Sequence, residues 1–189
     1  TGASGAFLAL AVGGLDHPRA WLVAAAAAGW GVRLGLHLSR RIAGEPEDSR
    51  YADLRARWGD AFDRRMFAFF QIQATWVVLF ATPMMIAARR PGPLDWMVGL
   101  GVVTLVAAVA GETIADHQLA AWKRSRPEGE RVCRRGLWAW SRHPNYFFEW
   151  THWFTYVAVG IAGPHGWLRL LGPVLMYLFL TRVTGVPVA

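Results

Sequence analysis

Long apolar runs separated by arginine-rich stretches constrain this chain more than any other feature. Five runs stand out, Trp21–Leu38, Met66–Ala88, Leu94–Ala115, Phe147–Ala162 and Trp167–Val183, and a shorter one, Ser4–Leu15, precedes them. A helix satisfies its own backbone groups and needs about 20 apolar residues to cross a bilayer. The last two runs are at or below that length, which predicts ends among headgroups or in a protein-lined cavity. No run shows the strict alternation of a half-buried strand. The pattern predicts an all-α, polytopic membrane protein with about five to six transmembrane helices. These form one membrane domain over residues 1–189, with spans near 4–15, 21–38, 66–88, 94–115, 147–162 and 167–183.

Charge follows the same alternation. The formal net charge is +7, with 20 Lys and Arg against 13 Asp and Glu. In a soluble domain that excess points to nucleic acid. Here fourteen of the cations sit in two stretches, 39–65 and 116–142, separated by two spans. The remaining connections are short and hold few cations. The positive-inside rule therefore predicts that both long stretches are cytoplasmic loops, and membrane lipids rather than nucleic acid become the expected surroundings. Several of the 11 Trp lie near span ends, as an aromatic belt requires. A single cysteine, Cys133, excludes an internal disulfide, and no Cys/His spacing predicts a metal site. Thr1 and Ala189 read as the edges of a longer chain. The sequence gives no oligomeric state.

Three clusters carry candidate chemistry. The first is the run from Gly136 to Glu149, which puts Arg142, His143, Asn145, Tyr146 and Glu149 at the mouth of an apolar segment. Pro144 suits the first turn of a helix. From such a start Asn145 and Glu149 are four apart and share a face, with His143 and Tyr146 close by. Free N–H groups at the helix start, with Arg134, Arg135 and Arg142, suit a polyanionic ligand. An interfacial helix start with snorkelling cations explains Arg142. It does not explain Asn145 with Glu149, a carboxylate inside an apolar span. His152, Trp153 and Tyr156 continue the same helix, as cavity lining or as packing between helices.

The second cluster is Glu112, Asp116, Gln118 and Lys123. Glu112 and Asp116 are four apart, and two carboxylates on one face repel unless cations or hydrogen-bond donors hold them. They form part of a site or a structural ion pair. The third is Arg33, His37, Arg40 and Arg41, followed by Asp48, Arg50 and Tyr51 in a stretch, Glu45–Gly59, that mixes both charges and reads as a solvated surface helix.

The run Gly136–Trp138, with Ser141-Arg142-His143-Pro144-Asn145-Tyr146 and Glu149, resembles the signature of the bacterial DUF1295 family. That family is similar to steroid 5-alpha-reductases and sterol carbon-14 reductases. Ala115-Asp116-His117-Gln118 with Lys123, and Arg33 to His37 followed by Glu47 to Tyr51, are similar too. The matches cover roughly residues 30–150. The resemblance implies an integral protein of a bacterial inner membrane that uses NADPH to reduce the C=C bond of a lipophilic enone, such as a 3-oxo-4-ene steroid. It implies that Asn145 and Glu149 hold the nicotinamide, that Asp116 and Lys123 belong to the cofactor cradle, and that Arg40, Arg41, Asp48, Arg50 and Tyr51 cover the adenosine end. Arg142, His143 and Tyr146 match the motif without separate roles, and His143, Tyr146 and Glu149 are the candidate catalytic groups. Two departures stand out. Phe148 occupies the place of the usual Gly before the motif Glu. The pair that polarises the substrate carbonyl belongs to earlier spans, where this chain offers Trp30, which is no proton donor. Membrane methyltransferases that bind S-adenosylmethionine also carry Arg-His-Pro-x-Tyr with a downstream Glu and are the alternative. A non-enzymatic membrane scaffold is a third.

Overall fold

The computed structural model describes residues 2–42, 49–125, 132–163 and 166–183, with the backbone alone for 40–42, 49–52 and 183. The chain divides into two compact units, Thr1–Arg89 and Arg90–Ala189. All regular structure among the described residues is helical, in agreement with the all-α expectation. Three segments are long and apolar enough to cross a membrane: Pro18–Ser39, Asp53–Ala88 and Trp96–Ser125.

The first unit holds α1 (Gly2–Gly13), α2 (Pro18–Ile42), α3 (Ser49–Trp58) and α4 (Phe62–Ala88). Small residues set the approach of α1 to its neighbours. Gly2 lies on Gly31 of α2, Gly5 on the Met84 thioether of α4, and Gly13 between Ala20 and Ala88, so a Cβ at any of the three meets another atom. Where lipid removes the hydrophobic drive between helices, close backbone packing of this kind holds them together. Gly14, at φ 87°, ends α1 with its N–H on the Leu10 carbonyl at 3.0 Å, the left-handed cap that glycine adopts without a Cβ penalty. The mixed-charge stretch contains α3 as a surface helix, as expected, although its residues before 49 lie outside the described ones.

The second unit is organised on α5 (Trp96–Ser125). Asp95 is its N-cap: the side chain accepts the Val98 N–H at 3.3 Å, and the carboxylate also pairs with Arg90. Arg90 in turn donates to the Val159 carbonyl at 3.1 Å. One carboxylate and one guanidinium thus tie the start of α5 to the end of α7 (Phe154–Gly160). Val98, Gly101, Ala108, Gly111, Glu112 and Ala115 form the buried stripe of α5. Against it lie α6 (Pro144–His152) and α7, running antiparallel. The Trp150 indole then donates to the Pro173 carbonyl of α8 (Leu171–Leu178) at 2.9 Å.

Three boundaries differ from the sequence expectation. The stretch 116–142 is not a loop throughout, because α5 continues to Ser125. Its Ala, Leu, Gln and Lys residues are strong helix formers, so the change from apolar to polar ends the apolar span and not the helix. The run 147–162 is two helices, with Trp153 between them bonding the Trp150 carbonyl three residues back at 3.2 Å. The run 167–183 is a 3-10 turn (Gly166–Leu170), then α8, then a π turn (Phe179–Val183). Pro173 sits in the first turn of α8, where it lacks a donor the helix does not need.

Candidate functional site

The motif begins at a latch on α5. Gly136 takes φ 56° and lies on the Gln118 side chain, leaving no room for a Cβ. The Gln118 Oε1 accepts the Leu137 N–H at 2.9 Å. The Trp138 indole donates to the Ala115 carbonyl at 2.9 Å. These contacts fix the 3-10 turn Gly136–Ala139 against the segment that carries Glu112 and Asp116. Trp140 and Arg142 beyond it are exposed.

His143 then caps α6 from a non-helical conformation (φ −142°, ψ 62°), its own N–H resting on the Ser141 hydroxyl at 3.2 Å. Pro144 is the first helical residue, as the sequence predicts. The His143 and Tyr146 rings stack with centroids 5.4 Å apart and planes 10° apart, giving a flat half-buried surface at the helix mouth. One turn in, Phe148 fills the space left by Gly111 of α5. The Phe148 ring is thus met by a glycine on the facing helix, and α5 and α6 stay close.

Asn145 carries the most informative atom. Its Oδ1 is buried and has no hydrogen-bond partner. A buried acceptor without a donor costs roughly 1–3 kcal/mol, and protein interiors rarely leave one so. Glu149, half-buried, lies one turn deeper on the same helix. Glu112 is 5% exposed, a carboxylate on the face of α5 that packs against α6 and α7. It follows Gly111, the residue that receives Phe148, and so stands at the level of the motif. Asp116 is half-buried one turn on, and Lys123 is exposed near the end of α5.

Asp116 and Lys123 stand on α5, and Arg142, His143, Asn145, Tyr146 and Glu149 stand on or just before α6, all within the second unit; of these, His143 and Tyr146 are in ring contact. Arg40, Arg41, Arg50 and Tyr51 belong to α2 and α3, where their side chains lie outside the described residues, and Asp48 lies outside them altogether. Sequence reasoning grouped Gln118 with the carboxylates. The structure gives it a bracing part, with its side chain against Gly136 and its Oε1 on the Leu137 N–H. At the end of the motif helix, His152 Nε2 shares a hydrogen bond with the Tyr156 hydroxyl of α7 at 3.0 Å, with both residues buried.

Asn145 Oδ1 fits a donor such as a carboxamide N–H, the stacked rings offer a plane, and the exposed cations offer partners for phosphate. No curated protein and no solved structure matches the chain. A family described as "Protein of unknown function (DUF1295)" matches residues 3–189. With that match over nearly its whole length, and the motif arranged as above, the chain belongs to the DUF1295 family.

Proposed function

We propose that this protein is an NADPH-dependent membrane reductase that acts on the C=C bond of a lipophilic enone, for which a 3-oxo-4-ene steroid is the working substrate. The observation that carries the reading is the buried, partnerless Oδ1 of Asn145, one turn from Glu149. A reduced nicotinamide, when bound, supplies a hydride. Asn145 and Glu149 accept from its carboxamide N–H groups and fix the ring. His143 and Tyr146 close its mouth side. Lys123 and Arg142 neutralise phosphate, and Asp116 accepts from hydroxyl or amide donors. Arg40, Arg41, Asp48, Arg50 and Tyr51 are assigned to the adenosine end. Both basic stretches face the cytoplasm, where the cofactor is, and the chain crosses a bacterial inner membrane about five to six times.

The test is a titration of purified full-length protein with NADPH, NADH and S-adenosylmethionine. NADPH is expected to bind and S-adenosylmethionine not to. Lys123→Ala is expected to weaken NADPH by about tenfold and NADH much less, since a cation on the 2′-phosphate makes a charge-assisted contact. Saturable binding of S-adenosylmethionine alone makes the protein a methyltransferase instead. Equal weakening of both dinucleotides removes Lys123 from the 2′-phosphate.

A further inference from the structure

Asn145, Glu149, His152 and Tyr156 advance by four, three and four, the spacing of one helical stripe. The hydrogen bond between His152 and Tyr156 shows that the stripe continues past the break at Trp153, whose backbone keeps helical dihedrals (φ −66°, ψ −24°). The stripe begins at the motif and ends in the interior. His152 is 1% exposed, Thr155 1% and Tyr156 0%. Three polar side chains are thus buried within five residues of a segment flanked by apolar ones. Polar groups at such depth mark a site by default.

Packing alone accounts poorly for Tyr156 and Thr155. Polar residues buried between membrane helices earn their place by bonding across to another helix. The Tyr156 hydroxyl bonds instead to its own helical run. The Thr155 hydroxyl is buried without a hydrogen-bond partner, although a helical threonine has the carbonyl four residues back within reach, as Thr151 shows with Phe147 at 2.8 Å.

We infer that Tyr156 is the proton donor to the substrate carbonyl and that His152 is a positioning residue that orients its hydroxyl. The inference rests on the reductase reading above. Seven residues from Glu149 to Tyr156 rise about 10 Å along a helix. That rise matches the length of a nicotinamide ring beside Glu149, an acceptor carbon about 3–3.5 Å beyond it, and an enone reaching on to the phenol. With the imidazole Nε2–H donating to Tyr156, the hydroxyl proton is free to point at a carbonyl oxygen. When the β-carbon receives a hydride from the dihydronicotinamide, the C=C π pair shifts and the C=O π pair moves onto oxygen. The Tyr156 O–H bond breaks and its proton goes to that oxygen, giving an enol. The phenolate regains a proton from solvent when the site opens for product release, while His152 keeps its hydrogen bond to the oxygen, and the enol takes up its carbon-bound proton as the oxygen-bound one leaves. A site closed to water strengthens such a donor, and its apolar surroundings select a lipophilic ligand.

The experiment uses purified full-length protein in nanodiscs, with a 3-oxo-4-ene steroid as probe in the presence of NADP⁺. A hydrogen bond from an acid to a conjugated carbonyl shifts its ultraviolet absorption to longer wavelength. The wild type is expected to show this red shift. Tyr156→Phe is expected to abolish it, to keep NADPH affinity within about twofold, and to lower turnover on the order of 10²-fold, within the range of general acid catalysis. Replacing Tyr156 with 3-fluorotyrosine keeps the fold and acidifies the phenol, so the red shift should grow; this variant decides the matter if Tyr156→Phe does not fold. His152→Phe should shrink the shift without altering NADPH affinity. A red shift unchanged in the Tyr156 variants overturns the assignment, as does a wild type that binds NADPH and shifts no enone. A wild type that binds no NADPH sinks the reductase reading itself, and this inference with it.

Discussion

Asn145 binds nothing through its Oδ1 in the folded chain. A residue kept for a ligand is expected to lower stability when the ligand is absent. Asn145→Ala should therefore leave the ligand-free Tm unchanged or higher and abolish the rise in Tm that NADPH produces. A lower ligand-free Tm with an intact NADPH response makes Asn145 structural. Thermal unfolding in detergent, with and without 1,000-fold excess of NADPH over its Kd, reads both; a binder at that ratio stabilises by about 4 kcal/mol. At this scale the sequence was legible where one residue type has one use. Pro144 at a helix start and Asn145 four before Glu149 could be read directly, and both stand where expected. The buried state of Oδ1 could not, because it depends on what α5 lays against α6. The His152–Tyr156 bond was likewise hidden, since a four-residue spacing permits contact and does not compel it.

Between elements, the junction of α5 with the motif turn depends on few atoms. Gln118→Ala leaves the Leu137 N–H without its acceptor, and a lost hydrogen bond of this kind costs about 1 kcal/mol. The expected result is a drop of that size in stability, together with NADPH affinity several-fold weaker because the motif helix is no longer held in register. Gln118→Glu retains an acceptor and should restore most of both; chemical denaturation and cofactor titration of the pair give the answer, and affinity unchanged in Gln118→Ala removes the residue from this part. Gly111→Ala should destabilise by about 1–3 kcal/mol through overpacking against Phe148, and Phe148→Ala in the same chain should recover part of that loss. Elements themselves were the easiest level to read. Apolar length located α2, α4 and α5, whereas their ends moved by up to ten residues in the case of α5, which outruns its apolar stretch. The pieces near the carboxy-terminal side were harder, because a run of apolar residues does not reveal a break at Trp153 or a 3-10 start before Pro173.

For the molecule as a whole, sidedness is the property most open to test. If both basic stretches face the cytoplasm, a cysteine placed at Ser49 or Ser125 in a Cys133→Ala background should react with a membrane-impermeant maleimide only after cells are opened. Reaction at either position in sealed cells rejects the orientation. Cys133 is 9% exposed and should contribute little background even if left in place. Helix class and the presence of segments fit to cross a bilayer were readable from hydropathy alone, because lipid leaves the backbone few alternatives. The division at Arg89 was not, since Arg89-Arg90-Pro91-Gly92-Pro93 reads as one more short connection between spans.

Phe148 and Gly111 also say something about history. The ring can occupy its place only if the facing position has no Cβ, since a Cβ at Gly111 falls on it. A lineage that began with a small residue at the place of Phe148 could therefore reach this arrangement by one order of change and not the other. The facing residue had to become glycine while the motif position was still small, a step that merely opens space. The ring could follow and close it. Taken the other way round, the first step is a clash at the heart of the motif. Within DUF1295, then, an aromatic residue at the place of Phe148 should travel with glycine at the place of Gly111, and chains that hold that glycine without the ring are the intermediates such a route leaves behind.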